Sequence, residues 1–155
     1  YLIGDDGRSS GIFEATVDVS FNNIYASNLG GLVGFMSRAT VQESTVNGNI
    51  THTGISNSTN IGAVAGTSQS GIISQNNINL TFDIGITNAS STIYIGAVAG
   101  RLTTTGTLDC QVLDCVIAYE FVDCTVLSST DIQSIGIYGY SSQTNVIVSG
   151  CTQRS

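Results

Sequence analysis

Apolar residues recur along the chain in two alternating patterns. One is a compact small-apolar-apolar-Gly run, found at Gly31-Leu32-Val33-Gly34, Ala63-Val64-Ala65-Gly66, Ala97-Val98-Ala99-Gly100 and Gly136-Ile137-Tyr138-Gly139. Tyr1-Leu2-Ile3-Gly4 reads as a fifth, weaker copy. The other is a stretch in which apolar and polar residues alternate with period two, the mark of a strand with one buried face. The closing glycines stand at 4, 34, 66, 100 and 139, so the interval drifts through 30, 32, 34 and 39 residues. A fixed order of elements with drifting spacing predicts structural repeats whose loops vary in length.

The second half of each unit repeats as well. Ten residues after Gly34, Gly66 and Gly100 come Ser44, Asn76 and Cys110, and two residues further on lie Val46, Ile78 and Val112. In the first unit Ile12-Phe13-Glu14-Ala15-Thr16-Val17 lines up with Val41-Gln42-Glu43-Ser44-Thr45-Val46, and in the last Cys151 follows Gly139 by twelve. Each unit therefore predicts a glycine-marked strand, a polar turn, an alternating strand and one further strand, with Asn47-Gly48, Thr53-Gly54 and Ser70-Gly71 as breakers. A unit this short cannot bury its own apolar face, but stacked units make a continuous core. The expectation is one all-β domain, a β-solenoid like a right-handed β-helix, with about five units at 1–29, 30–61, 62–95, 96–134 and 135–155. A β-sandwich is the alternative architecture.

Composition supports strands and excludes several functions. Ser, Thr and Asn fill 50 of the 155 positions, while Pro and Trp are absent and the helix-filling residues are scarce. Four arginines (Arg8, Arg38, Arg101 and Arg154), no lysine and a net charge of -7 leave no basic stripe for nucleic acid and no grip on an anionic membrane. No apolar run is long enough to span a bilayer as a helix. The chain starts at Tyr1 without an initiator Met or signal peptide, so it reads as a processed product or an excised piece.

The run Gly30-Gly31-Leu32-Val33-Gly34 followed by Val41-Gln42-Glu43-Ser44-Thr45-Val46, and Ala97-Val98-Ala99-Gly100 followed by Thr107-Leu108-Asp109-Cys110, resemble the GLUG repeat. The resemblance covers nearly the whole chain except Asp114 to Asp131, which reads as an insertion. It implies a scaffold within a large surface or secreted protein, with no catalytic residues. The glycines read as packing residues; without lysine no P-loop exists.

Cys110, Cys115, Cys124 and Cys151 all lie in the last third, spaced too widely for a zinc site. In a secreted chain four cysteines allow three disulfide pairings. The repeat alignment, which gives Cys110 and Cys151 nearly equivalent places in neighbouring coils, favours joining those two and leaves Cys115 with Cys124. Candidate catalytic carboxylates are Asp109, Asp114 and Asp123, each before a cysteine, and the adjacent Asp5 and Asp6. The simpler reading of each Asp-Cys pair is strand alternation, cysteine inward and aspartate outward. The lone His52 reads as an exposed residue at a strand end. Asn49, Asn57, Asn79 and Asn88 head Asn-x-Ser/Thr sequons, and Thr103-Thr104-Thr105 offers O-linked sites.

No cofactor or metal is expected. Neither end shows a polar cap, so one coil is expected to dock head-to-tail on another copy or on neighbouring repeats, with Tyr1, Phe13, Phe21, Tyr138 and Tyr140 near those ends. The leading expectation is a non-enzymatic extracellular or cell-surface scaffold, adhesin repeat or filament subunit. The alternatives are a carbohydrate-binding module that uses exposed Asn, Thr and Tyr along one coil face, and a polysaccharide-processing enzyme.

Overall fold

The computed structural model describes residues 1–5, 10–22, 26–56, 60–89, 92–126, 132–141 and 144–154, with side chains described except at 53–56, 85–89, 121–126 and 132–135. Every regular element among the described residues is a strand. The first coil holds β1 (Leu2–Ile3), β2 (Gly11–Phe13) and β3 (Thr16–Asn22). The second holds β4 (Asn28–Gly30), β5 (Val33–Ser37), β6 (Thr40–Gln42) and β7 (Thr45–Ser56). The third holds β8 (Asn60–Gly62), β9 (Ala65–Gln69), β10 (Ile72–Ser74) and β11 (Asn77–Ala89). The fourth holds β12 (Ile93–Thr103), β13 (Cys110–Leu113) and β14 (Val116–Val126), and the last β15 (Ile132–Ser141), β16 (Val146–Ser149) and β17 (Thr152–Gln153).

All pairings between named strands are parallel, and they build three faces of a β-solenoid of about four turns. A short face stacks β2, β6, β10, β13 and β16, and a long face stacks β3, β7, β11, β14 and β17. The third face is split: β4 and β5, like β8 and β9, are half-strands meeting at a glycine corner, whereas β12 runs through that corner and pairs with both β8 and β9.

Stacking puts like residues above one another. On the long face Ile78, Leu80, Phe82 and Ile84 point into the core and are at most 2 % exposed, while Asn77 and Asn79 between them face water. Val17, Val46, Ile78 and Ile117 form one inward column through four coils. Outside, Asn47 Nδ2 donates to Asp18 Oδ1 at 3.0 Å along a parallel polar column.

Two kinds of corner bend the chain. Where the short face passes into the long one, a single residue takes a left-handed conformation: Glu14, Glu43, Gln75 and Asp114 at φ 54, 54, 56 and 53°, then Gly150 at 67°. Their amides stay in the ladder, as with Gln75 N donating to Leu113 O at 2.9 Å and Asp114 N to Ser149 O at 2.9 Å. Arg38 and Ser70 take the same conformation between the split and short faces. At the glycine corner no left-handed residue is used; close backbone approach is what excludes a side chain there.

The observed register corrects four readings. Met36 lies beside Leu2, so Tyr1-Leu2-Ile3-Gly4 stacks on Phe35-Met36-Ser37-Arg38 and is no copy of the glycine signature. The residue equivalent to Ser44 and Asn76 is Cys115, because Thr45, Asn77 and Val116 share a register. The insertion lies earlier than 114–131: a small turn, closed by the antiparallel bridge of Thr105 with Leu108, adds residues between β12 and β13. Ser70 anchors that turn, its Oγ accepting from Thr105 N at 2.7 Å and donating to Leu108 O at 3.1 Å. Strand β14 itself stays in register with β11 apart from one shift at Phe82/Asp83. Asn47-Gly48 and Thr53-Gly54 also break nothing, since both sit inside β7 and are paired along it. An Asn-Gly turn needs an antiparallel return strand, and parallel neighbours keep this one in the ladder, with Gly48 at φ 125°.

Candidate functional site

The outer side of the glycine corner gathers amide, hydroxyl, guanidinium and aromatic side chains. Gly66 is what allows the gathering. A Cβ on it would sit 2.6 Å from Leu29 N and 2.7 Å from both Asn28 C and Gly34 O, all rigid backbone. Gly100 packs in the same way on Asn60, and Gly139 on Tyr94. Bare backbone thus lets one half-strand lie against the other, and the side chains of the two meet across a seam.

Two columns line that seam. Tyr1, Phe35, Thr67, Arg101 and Tyr140 stack through successive coils on one side, and Asn28, Asn60 and Tyr94 on the other. Asn60 Nδ2 donates to Asn28 Oδ1 at 2.8 Å, and the Thr67 hydroxyl donates to the same oxygen across the seam. Further along, the Tyr94 and Tyr140 rings stack with centroids 4.6 Å apart at 27°, and the Arg101 guanidinium lies 5.8 Å from the Tyr140 centroid. Toward the first coil Tyr1 and Phe35 lie 5.6 Å apart beside a cavity of about 250 Å³, lined also by Ser27, Asn28 and Gly34. Aromatic faces offer stacking area, and fixed amides and hydroxyls offer paired donors and acceptors. This is the inventory that recognises a polyhydroxylated chain.

No family model, curated protein or solved structure matches the chain.

The residues singled out from sequence scatter over other surfaces. Cys110 and Cys115 are buried, and Cys151 is half-buried. Cys110 stacks on Val146, and its Sγ lies 3.4 Å from both the carbonyl and the hydroxyl of Ser68. The register does not set Cys110 beside Cys151, because the turn at 104–109 displaces Cys110 from the column assigned to it. The side chain of Cys124, and with it the Cys115–Cys124 pairing, lies outside the described residues.

Asp109 is half-buried and Asp114 exposed beside inward-facing cysteines, as strand alternation requires. Asp114 serves the left-handed corner, its carboxylate lying over Gly150. Asp6 and the Asp123 side chain lie outside the described residues. Among those described, no group of three or more His, Cys, Asp or Glu residues is placed to hold a metal ion.

His52 is 1 % exposed inside β7, opposite Ile84, and not at a solvated strand end. Burial pushes its pKa down, away from the charged form. Asn49 and Asn79 are both exposed on the outer side of the long face. Asn57 lies outside the described residues, and so does the side chain of Asn88, which belongs to β11. Among the described residues no helix is long and apolar enough to cross a membrane.

The seam was missed as a unit, although its signal is in the sequence. Phe35, Thr67, Arg101 and Tyr140 each follow the closing glycine of a signature by one position, and Asn28, Asn60 and Tyr94 each precede by two the glycine just before a signature, Gly30, Gly62 and Gly96. Scanning fixed offsets from the repeat glycines finds both columns.

Proposed function

We propose that the chain is a non-enzymatic structural solenoid of the GLUG-like, extracellular kind, and that it extends by head-to-tail docking of a second copy on its outermost coils. One observation carries this reading: the apolar interior is uncovered at both outermost levels. In the first coil the inward Leu2, Ile12 and Val17 are only half-buried, whereas Met36, Val41 and Val46, on which they stack, are 0 % exposed, and the outward Phe13 beside them is 54 % exposed. In the last, a cavity of about 330 Å³ opens over Ile117, Tyr119, Ile137 and Cys151. A further coil would pair with the free ladder edges and bury these side chains, which is how solenoids gain stability. The low charge removes the lysines that ordinarily block edge pairing. The exposed Asn49 and Asn79 suit a secreted glycoprotein.

A second reading rests on the seam. Stacked tyrosines, an amide ladder and one guanidinium running along the axis favour a bound glycan chain, so that the scaffold would also adhere.

One preparation separates the two. Negative-stain microscopy and sedimentation at micromolar concentration should show elongated particles for the unaltered chain, and Phe13→Asp should return them to monomers. The unaltered chain remaining monomeric would overturn end-to-end docking. The monomeric variant is then exposed to a glycan array. Binding that disappears with Tyr140→Ala establishes the second reading, and an array without signal removes it.

A further inference from the structure

The inner side of the left-handed corner carries a column of small residues: Ala15, Ser44, Asn76, Cys115 and Cys151, one per coil. In the middle of the stack the column is wired by side chains. Ser44 N donates to Asn76 Oδ1 at 2.9 Å, Asn76 Nδ2 donates to Val41 O at 3.0 Å, and Ala15 N donates to Ser44 Oγ at 3.2 Å. Toward the last coil this wiring gives way to two thiols on adjacent levels.

The backbone on both sides of the two thiols is held in register. Asp114 N donates to Ser149 O at 2.9 Å just before them, and Thr152 N donates to Cys115 O at 2.9 Å just after. Residues so paired on neighbouring parallel strands have Cα atoms about 4.8 Å apart, within the roughly 4.4–6.8 Å that a disulfide spans. Both side chains turn to the same inner side: Cys115 Sγ approaches Leu113 O at 3.5 Å, and Cys151 Sγ approaches the equivalent Ser149 O at 3.6 Å. Burial pushes the Cys115 thiol up to about 11, with the nearby Cys151 adding to the rise.

We infer that Cys115 and Cys151 are a disulfide-forming pair that clamps the last coil to the one before it. The reaction is thiol–disulfide exchange with a small-molecule disulfide such as oxidised glutathione. The half-buried Cys151, as thiolate, attacks one glutathione sulfur and releases one glutathione thiolate. Cys115, as thiolate, then attacks the Cys151 sulfur of the mixed disulfide and releases the second. Two protein thiols are oxidised, one glutathione disulfide is reduced to two thiols, and the two protons lost by the protein end on the released glutathiones. The order follows from exposure, since Cys115 is completely buried and held as a thiol, whereas Cys151 is within reach of solvent.

The test is incubation of the full chain in a glutathione redox buffer, followed by acid quenching and peptide mapping without reduction. The expected product is a cross-linked peptide pair containing Cys115 and Cys151, lighter than the reduced pair by about 2 Da. Cys115→Ser should stop at a glutathione adduct of about 305 Da on Cys151. Cys151→Ser should leave Cys115 unmodified over the same period. A linkage of Cys151 to Cys110 or Cys124 would overturn the inference, as would both thiols staying alkylatable in the oxidised buffer after the chain is unfolded for labelling. The reading from the unaltered chain requires no variant to fold. Serine already occupies this column at Ser44, which makes both variants mild.

Discussion

The two corners of one coil solve the same problem, turning a strand through a sharp bend, by opposite means. At the glycine corner the bend brings backbones within van der Waals range, and Gly66 stands where any Cβ would strike three rigid backbone atoms. Its φ is ordinary. At the left-handed corner φ is positive in every coil, the condition glycine is best suited to, yet four of five positions hold Glu, Gln or Asp. Between these two corners, glycine serves chiefly where space is lacking. Positive φ, which costs an L-residue about 1–2 kcal/mol, is accepted in exchange for polar side chains at the edge. Those side chains interact: Gln42 Nε2 donates to Glu43 Oε1 at 2.7 Å and to Gln75 Oε1 at 2.9 Å.

Placing a methyl at the glycine corner should break the comparison most severely. Gly66→Ala forces the second half-strand off the first, which separates Thr67 from Asn28 and opens the interior beside Leu29. The expected loss is about 3 kcal/mol or more, read by urea unfolding, with failure to fold as the extreme. Gly106→Ala is the matched control. Gly106 has φ +65 and nothing within 4 Å of its Cβ position, so the cost is the left-handed penalty of about 1–2 kcal/mol, offset by about 0.5–1 kcal/mol of backbone entropy that glycine loses on folding. If the two losses were equal, crowding would not be the function of the corner glycine.

Second in size is the inner side of the left-handed corner. Asn76 is 1 % exposed and joins Ser44 N to Val41 O. Asn76→Ala leaves a buried donor and a buried acceptor unpaired, for an expected loss of about 2–4 kcal/mol in the same assay. An unchanged midpoint would mean that water replaces the amide and that the column is not dry.

The difference between the corners also explains what could be read from the sequence. Crowding leaves a trace, because only glycine survives it; Gly34, Gly66, Gly100 and Gly139 therefore announced the period, the solenoid and the first-unit alignment of Ile12 with Val41. Positive φ left almost none. Glu14, Glu43, Gln75 and Asp114 look like solvated strand residues, so the corner went unseen, and with it the anchor that would have aligned Cys115 with Asn76. Counting ten residues from Gly100 met Cys110 because the turn at 104–109 cannot be recognised until the next corner is known. The seam failed for a related reason: a stacked pair such as Tyr94 and Tyr140 joins different coils and different half-strands, and becomes visible only when both register columns are fixed. His52 was misplaced because its burial depends on its neighbour Ile84, far away in sequence.

The smallest effect is the most discriminating. Glu14 has φ 54, is exposed, and occupies the left-handed corner of the first coil. Glu14→Gly removes a left-handed penalty of about 1–2 kcal/mol and adds about 0.5–1 kcal/mol of backbone entropy lost on folding. The net expectation is a gain of about 0.5 kcal/mol, a small upward shift of the urea midpoint with an unchanged slope. The sign is what matters. If glycine were the unused optimum at every such corner, Gln75→Gly would gain as much as Glu14→Gly. Gln75 also accepts from Gln42, so its replacement should gain less or nothing. Equal gains at the two positions would mean that the outer amide ladder adds no stability, and the preference for Glu, Gln and Asp at this corner would then need a cause outside folding, such as keeping the coil edge polar against lateral association.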